Sequence, residues 1–210
     1  MIHIIDAGNI LQYREEMEQA YRLRHQVFVD EMKWEDLRKP DSRETDQFDD
    51  GRALHMLYIQ DGTVLGYQRM LPTTQPHLLS EVMPELCEGE RPVGPHVWEW
   101  TRYCVARAHR ERGRALSPIA NALLSGIVEW GLASGVNTII IEMDPIWLLR
   151  LVQLYFRVIP LGLPRRYGQG DVVAVTAAFD SRTLARLREM RGDNRSVLAP
   201  SEQAARRALS

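Results

Sequence analysis

The sequence predicts an α/β fold with a mixed sheet. Strand-like and helix-like segments alternate along the 210 residues, the pattern of a sheet covered by helices. Asp61-Gly62 separates two strand-like runs and marks a hairpin. A long apolar helical stretch at 115–133 leads into the continuous apolar run 136–141, as expected for a helix that feeds a buried central strand.

In chain order, residues 2–6 read as a short strand. Asn9 offers an N-cap, and Ile10, Tyr13, Met17, Ala20, Tyr21, Arg24 and Phe28 then recur at helical spacing. The periodicity stops over 33–51, where Pro40, Gly51 and many acids predict a long loop; loops of that length in one domain are often functional. Residues 54–59 and 64–71 are the hairpin strands, and Pro72 ends the second. A short helix is expected over 78–86, a turn-rich connection over 89–95, and a strand rich in Trp, Tyr, Thr and Val over 97–105. Ser134-Gly135 closes the long helix. Residues 145–156 suggest a helix with Pro145 at an acceptable early position. The last strands are expected at 158–161 and 172–179, and a final helix at 183–190. Without repeats or an internal linker, residues 1–192 read as one domain, with 193–210 a small, polar tail expected to fray.

Composition narrows the function. The chain is 45% hydrophobic and 26% charged, typical of a globular protein. A net charge of -2 gives no basis for nucleic-acid binding. Cys87 and Cys104 are the only cysteines, which fits a reducing compartment. No CxxC or His/Cys spacing suggests a metal site. The first residues lack the flank and core of a signal peptide, and no apolar run reaches the roughly 18 residues of a membrane span. A cytoplasmic enzyme or binding domain is expected.

Four groups of residues carry possible chemistry. Residues 110–115, with Arg110, Arg112, Gly113 and Arg114, follow a strand and open a helix, where backbone N–H groups and the helix dipole favour phosphate. The plain alternative is a solvated basic loop. Arg24 lies on an apolar helical stripe, where it needs a partner or ligand unless it snorkels to the surface. Asp41, Glu44, Asp46, Asp49 and Asp50 form an acidic loop that is ordinary solvated surface unless it meets buried arginines such as Arg24 and Arg69. Glu99 lies in an apolar strand, where burial suits a carboxylate to general-base work, or else it pairs structurally with Arg102. In a regular strand Glu99 and Arg102 face opposite sides, so they serve one site only if the strand bulges or twists.

The segment at 110–115 fits the phosphate-loop pattern of the Gcn5-related acyltransferases, which hold the pyrophosphate of coenzyme A there. Over about residues 20–145 the chain also resembles the LuxI-type autoinducer synthases. The resemblance lies in Arg24-His25-Gln26-Val27-Phe28 followed by Trp34, in Asp46 and Asp49, in residues 66–74 with Arg69, and in Trp98-Glu99-x-Thr101-Arg102. The chain departs from that family at Met83, where an aromatic is usual. Tyr103 stands where Phe is frequent, and Trp100 where a smaller aliphatic residue is found.

The resemblance implies a mostly antiparallel twisted sheet flanked by helices, in a single acyltransferase domain. It implies an acyl-homoserine-lactone synthase that uses S-adenosylmethionine and an acyl thioester as substrates, without a cofactor, and releases methylthioadenosine. Glu99 is then the candidate base. Arg24, Phe28, Trp34, Asp46, Asp49, Arg69 and Arg102 are candidates for binding S-adenosylmethionine. Trp100, Tyr103, Met143 and Trp147 are candidates for the acyl pocket. The phosphate loop favours acyl-CoA over acyl carrier protein as donor, and the bulky pocket favours a short branched or aromatic acyl group such as isovaleryl, as in the rhizobial branch of the family. Two other readings stay open: a Gcn5-related N-acyltransferase acting on another amine, and a non-catalytic sensor of acyl-CoA or S-adenosylmethionine.

Overall fold

The computed structural model describes residues 1–110, 116–168 and 170–200. Its strands are β1 (Ile2–Ile5), β2 (Leu54–Gln60), β3 (Thr63–Pro72), β4 (Val97–Val105), β5 (Thr138–Met143), β6 (Arg157–Pro160), β7 (Arg165–Tyr167) and β8 (Gly170–Ala178). Its α-helices are α1 (Arg14–Arg24), α2 (Leu78–Glu81), α3 (Pro118–Ser134), α4 (Trp147–Gln153) and α5 (Ser181–Arg191). The sheet order is β1-β2-β3-β4-β5-β8-β6, with β7 also paired to β8. Among the described strands only β4 and β5 pair in parallel, joined by the α3 crossover that a parallel pair requires. The expected mixed, mostly antiparallel sheet flanked by helices is the observed one.

The hairpin forms as its turn residues dictate. Asp61 and Gly62 both take positive φ, 50° and 74°, the backbone of a tight turn between twisted strands. Helix α3 begins at Pro118 rather than near 115. Pro118 fits the first helical turn, and the Ser117 side chain accepts the Ala120 N–H at 3.2 Å. Gly135 ends it at φ 75°, a conformation that favours glycine.

Other boundaries differ for local reasons. Asn9 does not cap a helix: its side chain accepts from Asp6 N and donates to Ile4 O, and a 3₁₀ turn, Ile10–Tyr13, precedes α1. The helix expected over 78–86 is split by Pro84 into α2 and a 3₁₀ turn, Pro84–Leu86. Helix α4 is shorter than expected, and β7 was not foreseen in its polar, arginine-rich segment. Of the tail expected to fray, residues 193–200 are packed and 201–210 lie outside the described residues. Ile2 N donates to Val197 O and Ala199 N to Ile2 O, both at 2.8 Å, while buried Glu129 accepts from Ser196 Oγ and Val197 N.

The sheet separates two packed layers. On one face α3 and α5 cover Met56, Met70, Trp100, Ile139 and Val175. On the other, α1 packs on Leu57 and Tyr67, and α2 covers Val97 and Ile140. The β4–β5 ladder lasts only from Val97↔Thr138 to Glu99↔Ile140, although both strands continue. The sheet therefore parts beyond Glu99, leaving that edge of β4 without a strand partner. Among the described residues no helix is long and apolar enough to cross a membrane.

Candidate active site

Helix α1 ends at Arg24 and widens into a π-helical segment, His25–Glu31. Such segments are rare and frequently lie at functional sites. Here the segment turns Phe28 beneath the chain that follows, and Phe28 stacks on Trp34 with ring centroids 5.2 Å apart. The acidic loop then crosses the α1 face of the sheet. It delivers Glu44, Asp46 and Asp49 to three arginines from three different elements.

The result is a closed ring of alternating charge. Arg24 binds Glu44 at 2.5 Å and both oxygens of Asp49 at 2.7 and 2.9 Å. Arg69 binds Asp49 at 2.8 Å and both oxygens of Asp46 at 2.6 and 2.9 Å. Arg102 closes the ring, reaching Asp46 at 2.8 Å and Glu44 at 3.1 Å. Burial pushes the three carboxyls up, but the adjacent guanidinium charges and hydrogen bonds outweigh it and hold all three below the usual carboxylate range. Arg24 and Arg69 are fully buried, so snorkelling does not apply. The side chains of Arg102 and Asp46, 7% and 9% exposed, form the ring's more open edge. Arg102 also lies over Phe28 and Trp34, at 5.7 and 6.0 Å from their ring centres.

A bulge makes this ring possible. Between the pairs Tyr67↔Cys104 and Arg69↔Thr101, one β3 residue opposes two residues of β4. Arg102 takes φ 57°, the left-handed region rarely used by side-chain-bearing residues. The extra residue brings Arg102 to the side of Thr101, whose Oγ1 accepts from Arg69 Nε at 3.1 Å. It also resets the alternation, so Tyr103 packs with the α3-side core and Cys104 with the α1-side core.

Glu99 is fully buried and firmly held. Its Oε1 is 2.7 Å from both Leu79 N and His77 Nδ1, and its Oε2 accepts Leu78 N at 2.8 Å. It thus satisfies the first N–H groups of α2. On β5, Glu142 lies two residues beyond Ile140, the partner of Glu99. Burial, followed by the nearby Glu99 charge, pushes the Glu142 carboxyl well above its ordinary range.

The acyl-pocket candidates gather where the sheet parts. Trp100 and Tyr103 meet edge to face at 5.2 Å, and Tyr103 meets Trp147 at 6.5 Å. Met143 packs against the same core, and the buried Trp100 Nε1 has no hydrogen-bond partner. Of the phosphate-loop candidates, Arg112, Gly113 and Arg114 lie outside the described residues. Arg110 donates to Val105 O at 2.8 Å and to Glu31 at 2.5 Å. Among the described residues no group of three His, Cys, Asp or Glu side chains is arranged to hold a metal.

Several participants were not among the sequence candidates. Glu44 stood out only as part of the acidic loop, with nothing to separate it from its neighbours. His77 gave no signal. His55 and Tyr67 line the ring from β2 and β3, with Tyr67 OH 2.7 Å from His55 Nδ1 and accepting from Arg24 at 3.2 Å. Alternating strand positions carry them, a signal too common to stand out.

A sheet that parts between two parallel strands, with a buried charge ring on one side and an aromatic cluster at the opening, is the architecture of an acyltransferase-type fold. The autoinducer synthase family model matches residues 9–187, and the chain belongs to that family. It is similar to an isovaleryl-homoserine lactone synthase of Bradyrhizobium diazoefficiens, 38% identical over 185 residues, covering 88% of this chain and 82% of that protein. It is also similar to BjaI, a CoA-dependent acyl-homoserine lactone synthase whose structure with SAM and isopentyl-CoA superposes with a TM-score of 0.88. Identity there is 35%, over 100% of this chain and 99% of the other. A structure classed among the N-acetyltransferases, from Lactobacillus plantarum, shares the fold at a TM-score of 0.53 and 20% identity, over 85% of this chain and 99% of the other.

Two predictions follow from the ring and its neighbours. Asp49→Asn leaves Arg24 and Arg69 short of a charge and should reduce unfolding free energy by about 3–5 kcal/mol in urea titrations. Removing the exposed Arg22–Glu18 pair should change it by only about 0–1 kcal/mol. Equal effects would show that the ring is not a stability element. Burial pushes the His55 imidazole down to about 4 from its ordinary 6.5, so the native state binds fewer protons than the unfolded state between these values. His55 therefore penalises folding progressively as pH falls from 6.5 to 4. In urea titrations across that range, His55→Gln should show a shallower decline in stability than the parent; parallel curves would contradict this assignment.

Proposed function

We propose that this chain is an acyl-homoserine-lactone synthase. It makes a quorum-sensing signal in the cytoplasm from S-adenosylmethionine and a short branched or aromatic acyl-CoA of the isovaleryl kind. The observation that carries the reading is the position of Arg102. It is the ring's accessible arginine and borders the stacked Phe28 and Trp34, the latter 42% exposed. An anion site beside an aromatic face suits the carboxylate and sulfonium ends of one substrate. Arg24, Asp49 and Arg69 then support the pocket from beneath, with Asp46 at its edge. The CoA-dependent relative and the isovaleryl-homoserine lactone synthase support the choice of donor.

The reaction has two steps. The neutral amine of S-adenosylmethionine attacks the thioester carbonyl. The C–N bond forms, the C–S bond breaks, and the amine proton passes through Glu99 to the departing thiolate. Leu78 N, Leu79 N and His77 Nδ1 hold Glu99, and the Glu142 carboxyl is hydrogen-bonded to it as well, so the carboxylate is fixed in place for this proton transfer, directly or through a water. The unpartnered edge of β4 beyond Glu99 offers N–H groups to the tetrahedral oxyanion. The carboxylate then attacks its own γ-carbon, the lactone closes, and neutral methylthioadenosine leaves. Folding the chain for this intramolecular step supplies much of the acceleration.

Incubation with S-adenosylmethionine and a panel of acyl-CoA and acyl-carrier-protein thioesters, with products identified by mass, tests the reading. Methylthioadenosine and an acyl-homoserine lactone should appear with acyl-CoA, whereas acylation without methylthioadenosine would identify a different transferase. Glu99→Gln should lower kcat by about 10²–10⁴-fold with unchanged far-ultraviolet circular dichroism; near-normal turnover would exclude Glu99 as the base. Trp100→Ala should shift the product profile toward longer acyl chains, and an unaltered profile would remove Trp100 from the acyl pocket.

A further inference from the structure

A second carboxyl stands beside Glu99 where the sheet parts. Glu142 lies on β5 two residues beyond Ile140, the residue that pairs with Glu99 at the end of the β4–β5 ladder. Strand alternation puts Glu99, Ile140 and Glu142 on one face of the sheet, the face that α2 covers. Glu142 therefore flanks the opening, and its carboxyl is hydrogen-bonded to that of Glu99. We propose that Glu142 is a positioning residue for the base: it stays protonated in the working enzyme and donates its O–H to Glu99, so that the pair holds one proton and Glu99 carries the negative charge. The proposal rests on the reading of Glu99 as the base.

The hydrogen-bond partners decide which carboxyl holds the proton. An ionised carboxylate only accepts, so two of them cannot bond to each other; one must be an acid. Glu99 already accepts from His77 Nδ1 and Leu79 N at 2.7 Å and from Leu78 N at 2.8 Å. Donors of this kind favour the anion. Glu142 is served differently. Among the described residues no other residue donates to its buried Oε1, and its partner on β8 is Ala174. The better-supplied group keeps the charge and the other keeps the proton. Burial, and after it the Glu99 charge, push the Glu142 carboxyl in the same direction.

Neighbouring groups do not reverse this order. Arg102 on β4 draws Glu142 toward ionisation, but less than burial and Glu99 oppose it, and its guanidinium is engaged by Glu44 and Asp46. On α2 the titratable group is His77, whose Nδ1 is spent on Glu99. Cys87 and Tyr167 pack on the cluster over Ile140 and Ala174 and bring no positive charge. The consequence is a base that remains ionised although fully buried. Burial alone would favour its neutral form, which cannot take the amine proton. A hydrogen bond from a neutral acid stabilises the anion without placing a second negative charge beside it.

The test is an NMR titration of the glutamate carboxyl carbons in the full-length enzyme, assigned with Glu99→Gln and Glu142→Gln. At neutral pH the parent should show Glu142 protonated and Glu99 ionised; an ionised Glu142 would overturn the proposal. Glu142→Gln keeps a neutral donor of nearly the same shape, so Glu99 should titrate as in the parent. Glu142→Leu removes the donor and should raise the Glu99 midpoint by about one pH unit. The acid limb of the kcat profile should rise in Glu142→Leu and return to the parent position in Glu142→Gln. A Glu99 midpoint unchanged in Glu142→Leu, or displaced equally in both variants, would reject the donor role. The NMR readout is independent of turnover. If Glu99→Gln keeps near-normal activity, the assignment of the base fails, and the titration still decides whether Glu142 holds the shared proton.

Discussion

The closed ring of three arginines and three carboxylates is the constraint around which the site is organised. Its members come from α1, the acidic loop, β3 and β4, so it forms only when all four have reached their final positions. Burying six charges carries a large desolvation penalty, which alternation offsets by placing every charge between two of opposite sign. A ring of this kind is poor evidence for added stability over an apolar core. Its value is geometric: removing one member leaves two others uncompensated, which strongly favours one arrangement. This explains how a loop without regular structure over most of its length presents an ordered face to the pocket.

The ring also divides labour among its members. Arg24, Arg69, Glu44 and Asp49 have little or no access to solvent, and most of their hydrogen-bonding capacity is spent within the ring or on Tyr67 and Thr101. The more open Arg102–Asp46 edge is where the proposed substrate contacts fall. Glu99 is held in a comparable way by α2 and His77. In both places the charged group proposed for chemistry is fixed by buried partners, an arrangement that would keep the reorganisation required on binding small.

Much of this was legible in the sequence. Strand β4 was read over its full span because β-branched and aromatic residues cluster there and Glu99 stands out among them. The residues alone set the acidic loop against Arg24 and Arg69 only as a condition, and family resemblance supplied the grouping of Arg24, Arg69 and Arg102 with Asp46 and Asp49. The bulge is raised in the sequence only as the condition for Glu99 and Arg102 to serve one site; no glycine or proline marks its position, and the positive φ of Arg102 accompanies its tertiary contacts to Glu44 and Asp46. His77 was equally silent, since its role depends on Glu99 arriving from 22 residues away. Helix starts were displaced where a local signal, Pro118 after Ser117, outweighed apolar periodicity.

The bulge at Arg102 links the two halves of the proposed reaction. A non-glycine residue in the left-handed region costs about 1–3 kcal/mol and persists only where surrounding contacts enforce it. Here the bonds from Arg102 to Glu44 and Asp46 supply that enforcement on the α1 side. The same extra residue turns Tyr103 to the α3 side, against Trp100 and toward Trp147. One backbone irregularity therefore positions the arginine proposed for S-adenosylmethionine and an aromatic proposed for the acyl group. If the ring relaxes, Arg102 loses its hold and the reason for the bulge disappears, and Tyr103 loses its placement with it. The proposed amine and acyl sites are thus coupled through three consecutive residues of β4, Thr101, Arg102 and Tyr103, beyond the point where β4 has parted from β5.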